Sequence, residues 1–196
     1  MKKILFVLTI ILALNIAEVK SQVFHSGKVL KSGRVSLGIN PAYFSAVKDF
    51  GVAFHGGYGL GDGYDLGIKT LFGYGDPYIE GNFEIALLRR APFLSLTLGA
   101  HVQNDFGLNA NFNTDITLGR SADLYLGIDM QVNFYKAKVW KNGEWEEETK
   151  TYVPVWLFVG AEWFLRRDIT FLGEILFPVN DNDDTILSFG VNFYFN

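Results

Sequence analysis

Cysteine is absent from the 196 residues of this chain. That excludes a disulfide framework, thiolate chemistry and a lipid anchor on an N-terminal cysteine. No Pro/Ser-rich linker or low-complexity tract divides the sequence, so a single domain is expected. Basic charge is scarce, 17 Lys plus Arg against 21 Asp plus Glu. Nucleic-acid binding is therefore not expected. No segment carries a helical period, and no apolar run reaches the roughly 20 residues needed to cross a bilayer as a helix.

The longest apolar run, Ile4 to Ala17, follows Lys2-Lys3 and precedes Val19 and Ser21, small residues placed as a cleavage site before Gln22. This is the pattern of a secretory signal peptide over residues 1–21, leaving 22–196 as the mature domain. Cleavage would leave 14 basic and 20 acidic side chains, a formal balance of −6.

What is abundant is glycine, 21 residues, together with 18 phenylalanines and 9 tyrosines. Such a composition suits strands and tight turns. Period-2 alternation predicts about ten strands, near 33–45, 49–60, 64–73, 78–88, 92–104, 106–118, 122–140, 145–165, 169–178 and 185–195, with eight as the alternative count. One face is aliphatic and aromatic, for example Leu37 and Ile39, Phe50, Val52 and Phe54, or Leu94, Leu96 and Leu98. The other is small, neutral and hydrogen-bonding, for example Ser36, Gly38 and Asn40, or Asn109, Asn111 and Asn113.

The stretch VWKNGEWEEE, Val139 to Glu148, reads as a hairpin tip, because Asn142-Gly143 is a favoured pair for a two-residue type I′ turn. That turn sets Trp140 against Trp145 and Lys138 against Glu147. The same register continues inward to Met130 and Val155, Ile128 and Leu157, and Leu126 and Val159. On the opposite face it sets Gly127 against Phe158 and Tyr125 against Gly160, aromatic cover for bare glycine backbone.

A soluble barrel of lipocalin type would put the polar face in water. Solvated surfaces normally carry about 25–35% charged residues, whereas here Lys69 is almost alone as a basic residue in a strand centre. A lipid-facing apolar side and a narrow polar lumen fit better. Hydrocarbon leaves no partner for an unpaired backbone group, so the last strand must close on the first. The expected fold is all-β, a closed antiparallel up-and-down transmembrane β-barrel.

With this alternation and the ending SFGVNFYFN, the chain resembles the small bacterial outer-membrane β-barrel proteins, the group with OmpX-like, OmpW-like and OmpA-barrel-like families. The resemblance covers nearly all of the mature chain. It implies residence in the outer membrane with both termini in the periplasm, outer-membrane lipid as surroundings, a monomeric state, and delivery by the barrel-assembly machinery. Phe193 and Phe195 stand where that machinery's terminal signal lies, although the last aromatic here is penultimate, before Asn196. By strand parity the hairpin with Trp140, Asn142, Gly143 and Trp145 faces outside the cell, as a candidate recognition surface.

Ionisable residues on the inward face are the remaining candidates: Asp65, Lys69, Glu80, Glu84, Asp115, Asp129, Glu162, Glu174, His55 and His101. Lys69 and Arg34 cannot neutralise so many carboxylates. Some are then protonated, or water or cations reach them. A hydrogen-bonded plug and a narrow channel for small polar or cationic solutes are both compatible with this set. Lipid-directed enzymes occur on such barrels, but two isolated histidines offer no nucleophile–base–orienter set and no metal-ligand spacing. No catalytic residue, metal or cofactor is expected.

Overall fold

The structure, a computed structural model, describes residues 29–73, 75–90, 92–141, 144–180 and 183–195. The expected signal peptide, the Asn142-Gly143 turn and Asn196 lie outside the described residues. Eleven strands follow in order: β1 (Val35–Phe44), β2 (Asp49–Gly61), β3 (Tyr64–Phe72), β4 (Tyr78–Leu88), β5 (Phe93–Val102), β6 (Phe106–Thr117), β7 (Ala122–Lys141), β8 (Glu144–Tyr152), β9 (Val155–Phe164), β10 (Ile169–Pro178) and β11 (Ile186–Phe195). All pair antiparallel, β1 with β11 through Val35 and Phe195, and β6 with β7 through Phe106 and Phe134, so the sheet closes on itself.

The barrel has ten staves. β7 is long enough to pair with β9 over its first half and with β8 over its second. The segment expected as one strand, 145–165, is interrupted at Val153-Pro154. Proline has no N–H to give to a ladder. Its carbonyl accepts from Gln131 N–H at 3.0 Å, and Asn180 bridges the gap, donating to Val153 O and accepting from Val155 N–H, both at 3.2 Å.

The register read from the turn is the one observed. Trp140 opposes Trp145, Lys138 opposes Glu147, and the same offset continues through Met130 and Val155, Ile128 and Leu157, and Leu126 and Val159. An ion pair on the hairpin runs diagonally, from Lys136 to Glu147 at 3.6 Å.

Burial is inverted relative to a water-soluble fold. Leu37, Phe54, Ile68, Leu98, Phe112, Ile128 and Leu157 are exposed, whereas Asn40, Glu80, Asp115, Asp129 and Gln131 have no accessible surface. Apolar residues also enter the interior, and most gather at one level. Phe44, Leu71, Tyr78, Trp156, Leu176 and Ile186 are all buried near the strand ends on the hairpin side. Gly51 makes room for this layer, since a Cβ there would lie 2.9 Å from Leu71 and 3.3 Å from Phe44.

Aromatic cover of glycine is present where expected. A Cβ on Gly127 would meet the Phe158 ring and one on Gly160 would meet the Tyr125 ring, and the two rings sit 6.4 Å apart. Tyr125 is fully buried and has nowhere to retreat. Gly160→Ala is therefore expected to cost about 1–3 kcal/mol through overpacking, read as a lower urea midpoint for the refolded barrel. Gly81→Ala, whose added methyl meets nothing within 4 Å, should stay within about 0.5 kcal/mol of the parent.

Candidate functional site

The interior of the barrel holds every lumen residue expected from alternation. Asp65, Glu80, His101, Asp115, Asp129, Glu162 and Glu174 are buried, and His55, Lys69 and Glu84 are partly accessible from a cavity of about 110 Å³ that Asp65 also lines. The register places Lys69 between His55 on β2 and Glu80 on β4. Asp123, also fully buried on this face, belongs to the same set. Its parity with Tyr125 and Asp129 marks it, but its position at the very start of β7 gives it little alternation to stand out against.

Carboxylates outnumber cations here, and neutral donors hold several of them. Glu80 accepts from the Tyr78 hydroxyl at 2.5 Å and from the Asn82 amide at 2.6 Å. Glu162 accepts from the Tyr194 hydroxyl at 2.7 Å, and Asp129 from the Gln131 amide at 3.3 Å. Asp65 accepts from the backbone N–H of Leu30 at 2.8 Å. A carboxylate bonded by hydroxyl and amide donors can be buried without a matching cation, because the hydrogen bonds replace hydration.

Both histidines are built into the packing. The His101 ring stacks on Tyr78 with centroids 5.1 Å apart, and its Nε2 donates to Asn133 Oδ1 at 2.6 Å. His55 packs over Gly38, where a Cβ would overlap the imidazole, and Asn40 Nδ2 lies 3.5 Å from its Nδ1. Among the described residues no group of three His, Asp or Glu side chains converges as a metal site.

Side chains enter the lumen at both ends. At the hairpin end Asp183 and Asp184, between β10 and β11, are tied to the side of the apolar layer. Trp156 Nε1 donates to Asp184 O at 3.4 Å, Ala46 N–H to Asp184 Oδ1 at 2.6 Å, and the Tyr152 hydroxyl to Asp183 Oδ1 at 2.7 Å. Burial pushes the Asp183 carboxyl above its ordinary range, and the Asp184 charge adds to this, against the Tyr152 hydroxyl that pulls it down. At the opposite end, which carries the short turns, the segment before β1 enters the barrel mouth. Gly33 N–H donates to Gly59 O at 2.8 Å, and a Cβ on Gly57 would lie 2.8 Å from the Leu30 side chain.

On the hairpin, Trp140 and Trp145 form an edge-to-face pair with centroids 5.1 Å apart, and both remain exposed. Phe193 and Phe195 lie at the end of β11 with outward, exposed rings.

No protein family matches the chain by sequence, and no curated protein does. Solved structures match by shape. A NanC porin is similar over 80% of this chain and 98% of its own, at 9% identity and a TM-score of 0.50. The fold is that of transmembrane β-barrels. A KdgM porin covers 82% of this chain and 99% of its own at 9% identity and a TM-score of 0.49. The N-terminal β-barrel domain of Pseudomonas aeruginosa OprF covers 85% and 100% at 12% identity and 0.41. Identities this low carry the likeness of fold alone.

For this transmembrane-type barrel the apolar residues inside are what alternation by itself missed. Phe44, Leu176 and Ile186 share the parity of Asn40, Glu174 and Ser188, so their inward direction was legible, but not their meeting at one level.

The Glu80 network supplies a test. Glu80→Ala strands a buried hydroxyl and amide, so a loss of about 3 kcal/mol is expected, measured by urea unfolding of the refolded barrel. Glu80→Gln, which keeps one acceptor oxygen, should lose about half as much.

Proposed function

We propose that this chain is a non-enzymatic barrel of the bacterial outer membrane that does not conduct. In this reading it is monomeric, is inserted by the barrel-assembly machinery through a terminal signal at Phe193 and Phe195, and holds the β7–β8 hairpin outside the cell as a surface-interaction element. The observation that carries the reading is the buried apolar layer of Phe44, Trp156, Leu176 and Ile186, each at most 1% exposed, across the lumen at the hairpin end. A layer of apolar side chains offers an ion no replacement for its hydration shell. The exposed belt of Leu, Ile, Val and Phe supports lipid as the surroundings, because a contiguous apolar band of this size is not left in water.

The hairpin supports the second half of the reading. β7 continues past the last residue it shares with β9, Met130, as far as Lys141, and β8 returns with it. The projection is stiffened by its own ladder and by the tryptophan pair. Recognition concentrates on such projections from rigid scaffolds.

A narrow cation-preferring channel is the second reading, favoured by the lumen carboxylates and by the cavity beneath the apolar layer. The two readings part in a planar bilayer. The refolded protein is expected to give no unitary current, and Phe44→Ala combined with Trp156→Ala should open a small, cation-preferring one. Steady single-channel current from the parent protein would establish the channel instead.

Orientation has its own test. An epitope inserted between Asn142 and Gly143 should be labelled on intact cells, and one between Arg166 and Arg167 only after permeabilisation. The reverse pattern would invert the topology and remove the hairpin from the cell surface.

A further inference from the structure

All six arginines of the chain, Arg34, Arg89, Arg90, Arg120, Arg166 and Arg167, lie at the end of the barrel with the short turns. Three of them, from three separate elements, line one open mouth of about 600 Å³: Arg34 before β1, Arg89 after β4, and Arg167 between β9 and β10. Each is placed by contacts or by the path of the chain. The Arg34 guanidinium lies 4.6 Å from the centroid of the Tyr194 ring and donates through Nη2 to Arg167 O at 3.0 Å. Arg89 folds over the β2–β3 turn at Gly63, where a Cβ would sit 2.7 Å from its Nε and 2.8 Å from its Nη2. Gly63 has φ +89°, a conformation that itself favours glycine, so the turn leaves this space to the guanidinium.

The mouth is short of anions. Its carboxylates are Asp62 at the rim and Glu162, which already accepts the Tyr194 hydroxyl. Arg34 Nε is buried and has no acceptor among the described residues. Four cations line the mouth, the three arginines and Lys31, against two carboxylates, one of them engaged, and this leaves guanidinium donors open for an added acceptor. The opposite balance prevails a few residues deeper, where the lumen is acidic.

The walls between the arginines are apolar. Phe93 and Phe164 face inward at the strand ends, opposite Asp115 and Thr170 in the ladder, and Leu30 with Tyr194 forms the floor that separates the mouth from the smaller cavity behind it. A ligand that enters is thus stopped before the deeper carboxylates Asp65 and Glu84, with its anionic part among guanidinium groups and its apolar part on aromatic side chains.

We propose that this mouth binds an amphiphile with a phosphate headgroup, Arg34, Arg89 and Arg167 taking the phosphate oxygens and Phe93, Phe164 and Leu30 taking the apolar portion. Guanidinium pairs phosphate through two parallel hydrogen bonds, a geometry that lysine cannot match. The source is either a membrane phospholipid or a free phosphorylated metabolite with an apolar part, and the shared chemistry is the phosphate monoester or diester on a hydrocarbon chain. The site is independent of whether the lumen conducts, because it lies outside the Leu30–Tyr194 floor.

Calorimetric titration of the refolded full-length mature protein in maltoside micelles, corrected against protein-free micelles, tests it with hexyl phosphate, inorganic phosphate and hexanol as probes. Hexyl phosphate is expected to bind at least tenfold more tightly than either of the others. Arg34→Gln and Arg89→Gln should each weaken it about tenfold, Arg89→Lys should recover only part of the loss, and Lys138→Gln at the far end should leave it unchanged. Arg89 is an exposed turn residue, so its variants keep the test valid if Arg34→Gln fails to fold. Dihexanoylphosphatidylglycerol binding as tightly as hexyl phosphate would assign the source to lipid, and exclusion of the two-chain lipid would assign it to a single-chain phosphate. Equal affinity for inorganic and hexyl phosphate would overturn the amphiphile, and binding unaffected by all three arginine variants would overturn the site.

Discussion

The obligation to pair every backbone N–H and C=O governs the rest of this structure. A sheet surrounded by hydrocarbon has no water to complete an open edge, and here the edge is removed by pairing β1 with β11 and β6 with β7. Closure then divides each strand into an outward and an inward set of side chains, and the chemistry of each set follows from what it faces. The break in the ladder at Pro154 comes where β7 and β8 leave the barrel, and the Asn180 side chain satisfies groups that it exposes.

Inside, the packing problem is the reverse of a soluble core. Acidic side chains are buried in number, and hydroxyl, amide and backbone donors from Tyr78, Asn82, Gln131, Tyr194 and Leu30 replace their hydration. Glycines at 127 and 160 give up their side-chain volume to Phe158 and Tyr125. The apolar layer at the hairpin end and the Leu30 stopper at the other end close what remains. In the proposed reading the stem does not conduct, and recognition falls to the two ends: the hairpin with exposed tryptophans, and the arginine-lined mouth.

Much of this was legible in the residue order. Alternation alone separates Leu126, Ile128 and Met130 from Gly127, Asp129 and Gln131, and the Asn-Gly turn predicts the offset that runs from Trp140–Trp145 down to Leu126–Val159. The pairing of bare glycine with an aromatic partner follows from that offset. Relative height around the barrel did not follow, because stagger between distant strands is set by closure and not by any one strand. For that reason Phe44, Leu176 and Ile186, each on the polar parity of its own strand, could not be recognised as one layer. Leu30 was hidden for a different cause: it precedes the first strand, where no period marks direction. The grouping of Arg34, Arg89 and Arg167 likewise needed the turns to be brought to one end.

The central claim is that the even-numbered face of β7 meets hydrocarbon while the hairpin above it meets water. The absence of native cysteine makes a spin-label scan direct. Single cysteines at 124, 126, 128, 130 and 132, labelled in vesicle-reconstituted protein, should show high collision rates with oxygen and low rates with a nickel chelate. Labels at 140 and 145 should show the opposite. Nickel accessibility at 126, 128 and 130 as high as that at 140 would place this face in water and contradict the account.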